Sequence, residues 1–262
     1  MIRGMYTAAA GALAAQSNVD VIANNLANVN TGGFKRMLMQ LESTETLPIY
    51  RVQTDPGSTP GTTVPGKSAV DYVGNLGFGS RVYDTPADFQ QGPLQRTDNP
   101  LDVGLYGPGF FTIQTQSGVR YTRDGNFLVN AQGLLTTQDG ALVLGQRGAI
   151  PVPQGNVTIT QDGAVNVNGR VIDTLQVTQF NDTRFLRPEG DNQFVDEGAG
   201  PQNSTTTSIN QGTLERSNAN VVRSMVDLIV AQQWFQANEK VIQTEDQATN
   251  SAVTELGRTS SH

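Results

Sequence analysis

Between residues 81 and 180 the chain alternates short apolar runs with glycine-containing pairs. FFTIQT is followed by Ser117-Gly118, VRYT by Asp124-Gly125, FLV by Gln132-Gly133, and LLTT by Asp139-Gly140 and ALVLG. Further on, VTIT leads to Asp162-Gly163, AVNV to Asn168-Gly169, and RVI and LQVTQF close the series. Asx-Gly between alternating runs supplies the positive φ that a two-residue hairpin needs. The pattern predicts a central antiparallel β-rich domain, a sandwich or small barrel.

Both flanks are helical instead. From Ile2 to Leu26 a 3-4 spacing runs Ile2, Met5, Ala9, Ala12, Gln16, Val19, Ala23, Leu26, with Tyr6, Leu13 and Ile22 beside it. Gly32 and Gly33 permit the turn that stops this helix, ahead of Phe34. A second long helix starts at Asn220, a capping residue that follows Ser217-Asn218. Its stripe runs Met225, Leu228, Gln232, Phe235, Glu239, Ile242, Asp246, Thr249, Val253, Leu256. Both stripes are thin, and the second is polar at every other step. Between the first helix and the β region, Pro48, Pro56, Pro60 and Pro65 stand among Gly, Ser and Thr, which reads as an extended strap. The expected class is α+β: long N- and C-terminal helices forming a coiled-coil-like pair, and a central antiparallel domain. Its segments are 1–43 (helix and stop), 44–80 (strap), 81–210 (β-rich) and 211–262 (helix and tail).

Asn24, Asn25 and Asn28 stand where the first helix should be apolar. Amides are mediocre helix formers, and buried ones must find partners. Either they are solvated at a frayed end, or they meet partners on another chain. The second expectation makes the terminal helices an assembly surface: Ile2, Met5, Tyr6, Leu13, Ile22, Asn24, Asn25, Leu26, Asn28, Gly33 and Phe34 from one end, and Asn218, Asn220, Met225, Leu228, Phe235 and Ile242 from the other.

Composition removes most chemistry. Cysteine is absent and the single histidine is His262, so thiolate and imidazole ligands, nucleophiles and bases are missing. No metal, cofactor, catalytic residue or small-molecule substrate is expected. A net charge of −7 disfavours nucleic acid, whose phosphates require a basic footprint. The Asp-Gly pairs at 124, 139 and 162 lack the alternating oxygen ligands of a calcium loop. GLYGPGFF (residues 104–111) leads into a strand, whereas a phosphate cradle opens a helix. Arg120, Tyr121, Arg123 and Asp124 form the densest polar cluster and read as a cross-strand network on a β surface. Arg3 ahead of AAAGALAA is a poor secretory signal, because the helical phase continues through the would-be cleavage region.

The stretches RGMYTAAAGALAAQ and DVIANNLANVNTGGFKR resemble the N-terminal signature of the bacterial flagellar axial proteins of rod and hook. NPLDVGLYGPGFFTIQ with YTRDGNF, and LERSNANVVRSMVDLIVAQQWFQANEKVIQT, resemble the family's internal and C-terminal patterns. Gln233, Trp234 and Phe235 stand where that pattern usually carries Arg and Tyr. ALVLGQRGAIPVP and QFNDTRFLRPEGDNQF are more similar to the proximal than to the distal rod subunit. The resemblance implies a structural subunit of the basal-body rod, exported through the flagellar apparatus without a cleaved signal peptide and stacked helically across the periplasm. Its implied partners are copies of itself, other rod and hook axial proteins, the export apparatus and the surrounding ring bushing. A distal rod or hook-type subunit is the alternative within the family. A secreted β-rich adhesin is the alternative outside it.

Overall fold

A computed structural model describes residues 2–44, 46–52, 70–77, 79–204 and 206–259. Pro56, Pro60 and Pro65 lie outside the described residues, as does the side chain of Ile2. Two helices frame the chain, α1 at Ile2–Ala27 and α2 at Val221–Thr259. The chain divides into two compact units, one of Met1–Asp20, Met39–Asp84 and Ile229–His262, the other of Val21–Leu38 and Thr85–Leu228.

The first unit brings α1 and α2 together at glycines. A Cβ on Gly4 would lie 2.8 Å from Glu245 Oε1, and one on Gly11 would lie 2.9 Å from Asn238 Oδ1. The two contacts are seven residues apart on each helix and run in opposite directions, so the helices are antiparallel. Only glycine allows this approach, because any side chain would hold the backbones apart.

The covered faces are displaced by one residue from the spacing read in the sequence. On α2 every covered residue described is Ser224, Leu228, Ala231, Phe235, Asn238, Ile242, Glu245 or Ala252. Leu228, Phe235 and Ile242 were expected there, while Gln232, Glu239 and Asp246 are exposed. On α1 the buried residues are Ala8, Ala14, Ala15, Ile22 and Asn25, and Tyr6 and Leu13 stand 67% and 71% exposed. Small residues, not large apolar ones, set the face, since close approach covers more backbone than a wide seam would.

Two short antiparallel ladders complete this unit. Gln40–Ser43 pairs with Ser80–Asp84, and Thr46–Val52 with Val70–Gly77. The second ladder contains Pro48, opposite Asn75, so the strap is partly paired strand. Its Leu47, Ile49, Tyr72 and Val73 are exposed.

The second unit holds the main β structure. Among the described residues its largest sheet runs Leu186–Gly190, Gln193–Asp196, Gly118–Thr122, Phe110–Thr115, Leu142–Gly145, Leu135–Thr137, Phe127–Val129, with Val177–Phe180 also on Phe110–Thr115. Successive strand residues face opposite ways. Phe111 and Ile113 therefore enter one core with Phe127, Leu135, Val143, Ile150 and Val165. Phe110 enters another with Tyr121, Phe180, Leu186 and Phe194.

Most of the glycine pairs form hairpins as the spacing predicts. Strands flanking Ser117-Gly118, Gln132-Gly133, Asp139-Gly140, Asp162-Gly163 and Asn168-Gly169 pair across their turns. Asn168 and Gly169 both take positive φ, 53° and 78°, as a type I′ turn requires. Asp124-Gly125 is the exception. The strands on either side of it do not pair, and a Cβ on Gly125 would run into the Val103 carbonyl. That glycine serves a backbone crossing rather than a turn.

Candidate assembly junction

Within the second unit the end of α1 meets the segment that precedes α2. After Ala27 the chain turns through Asn28–Gly33, where Asn28 Nδ2 donates to the Asn24 carbonyl at 3.0 Å and Thr31 Oγ1 donates to Asn28 Oδ1 at 3.2 Å. Gly33 has φ 65°, and its N–H donates to the Glu215 carbonyl at 2.7 Å. A Cβ there would overlap the backbone of Arg123 and Asp124. Asn192 Nδ2 holds the neighbouring Gly32 carbonyl at 3.0 Å.

Asn25 is the amide that the helix buries. Its Nδ2 donates to the Met37 carbonyl at 2.8 Å, and its Oδ1 accepts the Met37 N–H at 2.7 Å. The side chain thus acts as a strand partner for one residue, within the chain. Asn24 is exposed. The three asparagines therefore differ: one locks the return of the chain, one shapes the turn, and one faces outward.

Asn218 repeats this device from the other end. It accepts the Arg36 N–H at 2.8 Å and donates to the Asp88 and Gln90 carbonyls at 2.7 and 3.0 Å. Phe34 is buried beside it. Asn220 Oδ1 accepts the Arg223 N–H at 3.0 Å, which caps α2 as its sequence predicts.

Beneath these contacts lies a buried ionic cluster that the sequence reading missed. Lys35 Nζ sits 2.6 Å from Glu215 Oε1, with both side chains fully buried. Lys35 also donates to the Gln90 carbonyl at 2.8 Å, and the Gly92 N–H donates to Glu215 Oε1 at 2.7 Å. Arg123 Nη1 reaches Glu215 Oε2 at 3.3 Å. Burial draws the Lys35 ammonium below its ordinary pKa, and Glu215 offsets part of that. Arg36 pairs with Asp88 at 2.8 Å. Arg123 thus points inward, not onto a β surface, whereas Arg120 pairs across strands with the partly exposed Glu189. Lys35 and Glu215 are 180 residues apart, so no local pattern joins them. The available signal was charge placed beside two glycines in GGFKR and beside the capping asparagines in LERSNAN.

Asp124 borders the same turn. Burial raises its carboxyl from 3.8 to about 6, with Asp139 and Asp102 adding to the shift and the Asn126 N–H opposing it. The folded chain then keeps this proton over a pH range in which the unfolded chain has lost it. The stabilisation is complete below pH 3.8 and is lost as pH rises to about 6. Asp124→Asn keeps an acceptor for Asn126 and removes the charge. Its stability relative to the parent should grow across that interval by on the order of 3 kcal/mol. Urea midpoints of both proteins at pH 4 and pH 7 measure the difference, and an equal gap at the two pH values would exclude it.

Three family models match this chain. Residues 5–35 match the description "Flagella basal body rod protein", residues 105–167 "Flagellar hook protein FlgE/F/G D1 domain", and residues 210–255 "Flagellar basal body rod FlgEFG protein C-terminal". The chain is 36% identical to the flagellar basal-body rod protein FlgG of Borreliella burgdorferi, over 94% of this chain and 96% of that one. It is 32% identical to FlgF of Caulobacter vibrioides over 98% and 99%, and 27% identical to the flagellar hook-basal body complex protein FlhO of Bacillus subtilis over 98% and 100%. The first and last of these models end and begin on the two strands of chain that Gly33, Lys35, Glu215 and Asn218 join.

Proposed function

The chain belongs to the flagellar basal-body rod proteins, and from that premise we propose that it polymerises through its terminal helices into the shaft that crosses the periplasm and carries torque to the hook. The observation that carries this reading is the surface of α2. Val222, Met225, Val226, Ile229, Trp234, Val241 and Val253 are exposed to between 44% and 72%. An exposed apolar surface of this extent marks an interaction site, and a long helix with a thin covered stripe gains stability from packing it does not yet have. Its partners are further copies and other rod and hook axial proteins.

The finer assignments follow the same reading. α1 and α2 form a coiled-coil-like pair, supported by glycine contacts at a seven-residue interval on both helices. The segments ALVLGQRGAIPVP and QFNDTRFLRPEGDNQF favour the proximal over the distal rod position. Residues 44–80 act as a strap onto a neighbouring subunit, supported by the exposed Leu47, Ile49, Tyr72 and Val73. The chain passes through the flagellar export apparatus without signal cleavage and turns within the ring bushing. It works as a structural element and not as an enzyme.

Ile229→Asp tests the carrying observation. The side chain is 55% exposed, so the single chain should keep its stability within about 0.5 kcal/mol. Rod assembly and swimming should be lost, because each interface in the polymer would then bury an unpaired carboxylate. Asn24→Ala should likewise spare the chain, while Asn25→Ala should cost it about 1–3 kcal/mol by orphaning the Met37 peptide groups. Electron microscopy of basal bodies and soft-agar swimming decide the first point. Normal rods in the Ile229→Asp strain would refute this surface as the interface.

A further inference from the structure

The junction leaves one charge and one donor unaccounted for. Lys35, Arg36 and Arg123 face only Glu215 and Asp88. Three cations thus meet two carboxylates. Buried charge is tolerated when it is paired and hydrogen-bonded, and costs heavily when it is not. Arg123 is 3% exposed, and its Nε finds no hydrogen-bond partner among the described residues. Nearly all buried polar groups have a partner, so a group in this position asks what completes it.

The same side chain lines a half-open cavity of about 310 Å³. Phe89, Phe110 and Phe180 wall it, with Gly107–Gly109 and Thr183 at its edges. Phe110 stacks under the guanidinium at 5.1 Å. Phe89 and Phe180 each meet Phe110 edge to face, at 5.3 and 5.6 Å. The volume is at the lower end of small-ligand sites, which combine apolar walls with one or two placed polar groups. Aromatic edges are weakly positive and also suit an anion. GLYGPGFF, which fails as a phosphate cradle, here forms part of the wall.

We propose that this cavity is a carboxylate socket. It takes a carboxylate carried on a small apolar or aromatic body, which the Arg123 Nε–H binds through one oxygen and whose charge balances the cluster. The body displaces water from the phenylalanine walls. The carboxylate comes either from a side chain of a second copy or from a free organic acid, and the chemistry at Arg123 is the same for both.

Benzoate is the probe, with benzyl alcohol as its uncharged match. Titrated into the purified full chain and followed by the arginine Nε–H resonances in nitrogen-15 NMR, benzoate should shift one resonance and saturate. Benzyl alcohol should bind at least tenfold more weakly. Thr183→Trp fills the cavity without touching the ionic cluster, so it should weaken benzoate binding at least tenfold while leaving the urea midpoint unchanged. Arg123→Lys should lose the resonance and the binding together. Benzoate that fails to saturate, binds no better than the alcohol, or binds Thr183→Trp equally well would overturn the socket. The same titration on assembled filaments separates the two sources. Loss of binding in filaments, with benzoate slowing their growth, assigns the carboxylate to a neighbouring copy. Undiminished binding in filaments assigns it to a free acid.

Discussion

Glu215→Ala should destabilise the chain by about 3–5 kcal/mol at pH 7, the cost of breaking a buried ion pair by removing one partner. The residue accepts from Lys35, Arg123 and the Gly92 N–H with both side-chain oxygens, and none of these donors has water to fall back on. Truncation leaves two buried cations side by side. Glu189→Ala provides the control. Its carboxylate pairs with Arg120 at a partly exposed site, where such pairs contribute about 0–1 kcal/mol. Equilibrium urea unfolding reports both. Glu215→Gln should fall between them, since it keeps an acceptor for Gly92 but no charge. A loss under about 1 kcal/mol for Glu215→Ala would mean that the cluster is hydrated and does not hold the junction.

Gly33→Ala should cost about 2–4 kcal/mol through two separate effects. A left-handed φ is unfavourable for a residue with a Cβ by about 1–2 kcal/mol. The new carbon also meets backbone atoms of Arg123 and Asp124, and overpacking against groups that cannot rotate away adds about 1–3 kcal/mol. Gly32→Ala is the informative comparison. Gly32 has no left-handed φ, and its Cβ would lie 3.2 Å from the movable Asp124 carboxylate. It should lose less than half as much in the same urea measurement. Because the Gly33 N–H donates to the Glu215 carbonyl, the double variant Gly33→Ala/Glu215→Ala should be less destabilised than the sum of its parts. Full additivity would place the two residues in independent structures.

The elements of this fold were more legible than their contacts. The 3-4 spacing read from Ile2 to Leu26 matches a helix at Ile2–Ala27, and the cap at Asn220 precedes one at Val221–Thr259. Turn chemistry placed the hairpins because it acts over two residues. It failed at Asp124-Gly125, where the glycine answers to Val103, a residue far away in the chain. The covered faces were misplaced by one position for a related reason. Periodicity weights large apolar residues such as Met5 and Leu13, but Gly4 and Gly11 decide where two backbones can touch. The ladder through Pro48 was hidden by the proline cluster around it. Lys35, Arg123 and Glu215 were invisible as a site, since charge in a sequence reads as surface until the fold brings a counter-charge across 180 residues.

The separation between Lys35 and Glu215 also governs the order in which the molecule can form. Hairpins such as those at Asn168-Gly169 close over a few residues and early. The junction closes a loop of nearly the whole chain, and such long-range contacts are the slow ones. During synthesis the amino-terminal half of the junction waits, with its lysine and its glycine turn unpaired, until Glu215 and Asn218 have emerged. A product that stops short of them can fold its strands but cannot seat α1 on them. Completion of the carboxy-terminal segment is therefore what distinguishes a finished subunit from a fragment, and the distinction is written into the folding pathway rather than into any separate checkpoint.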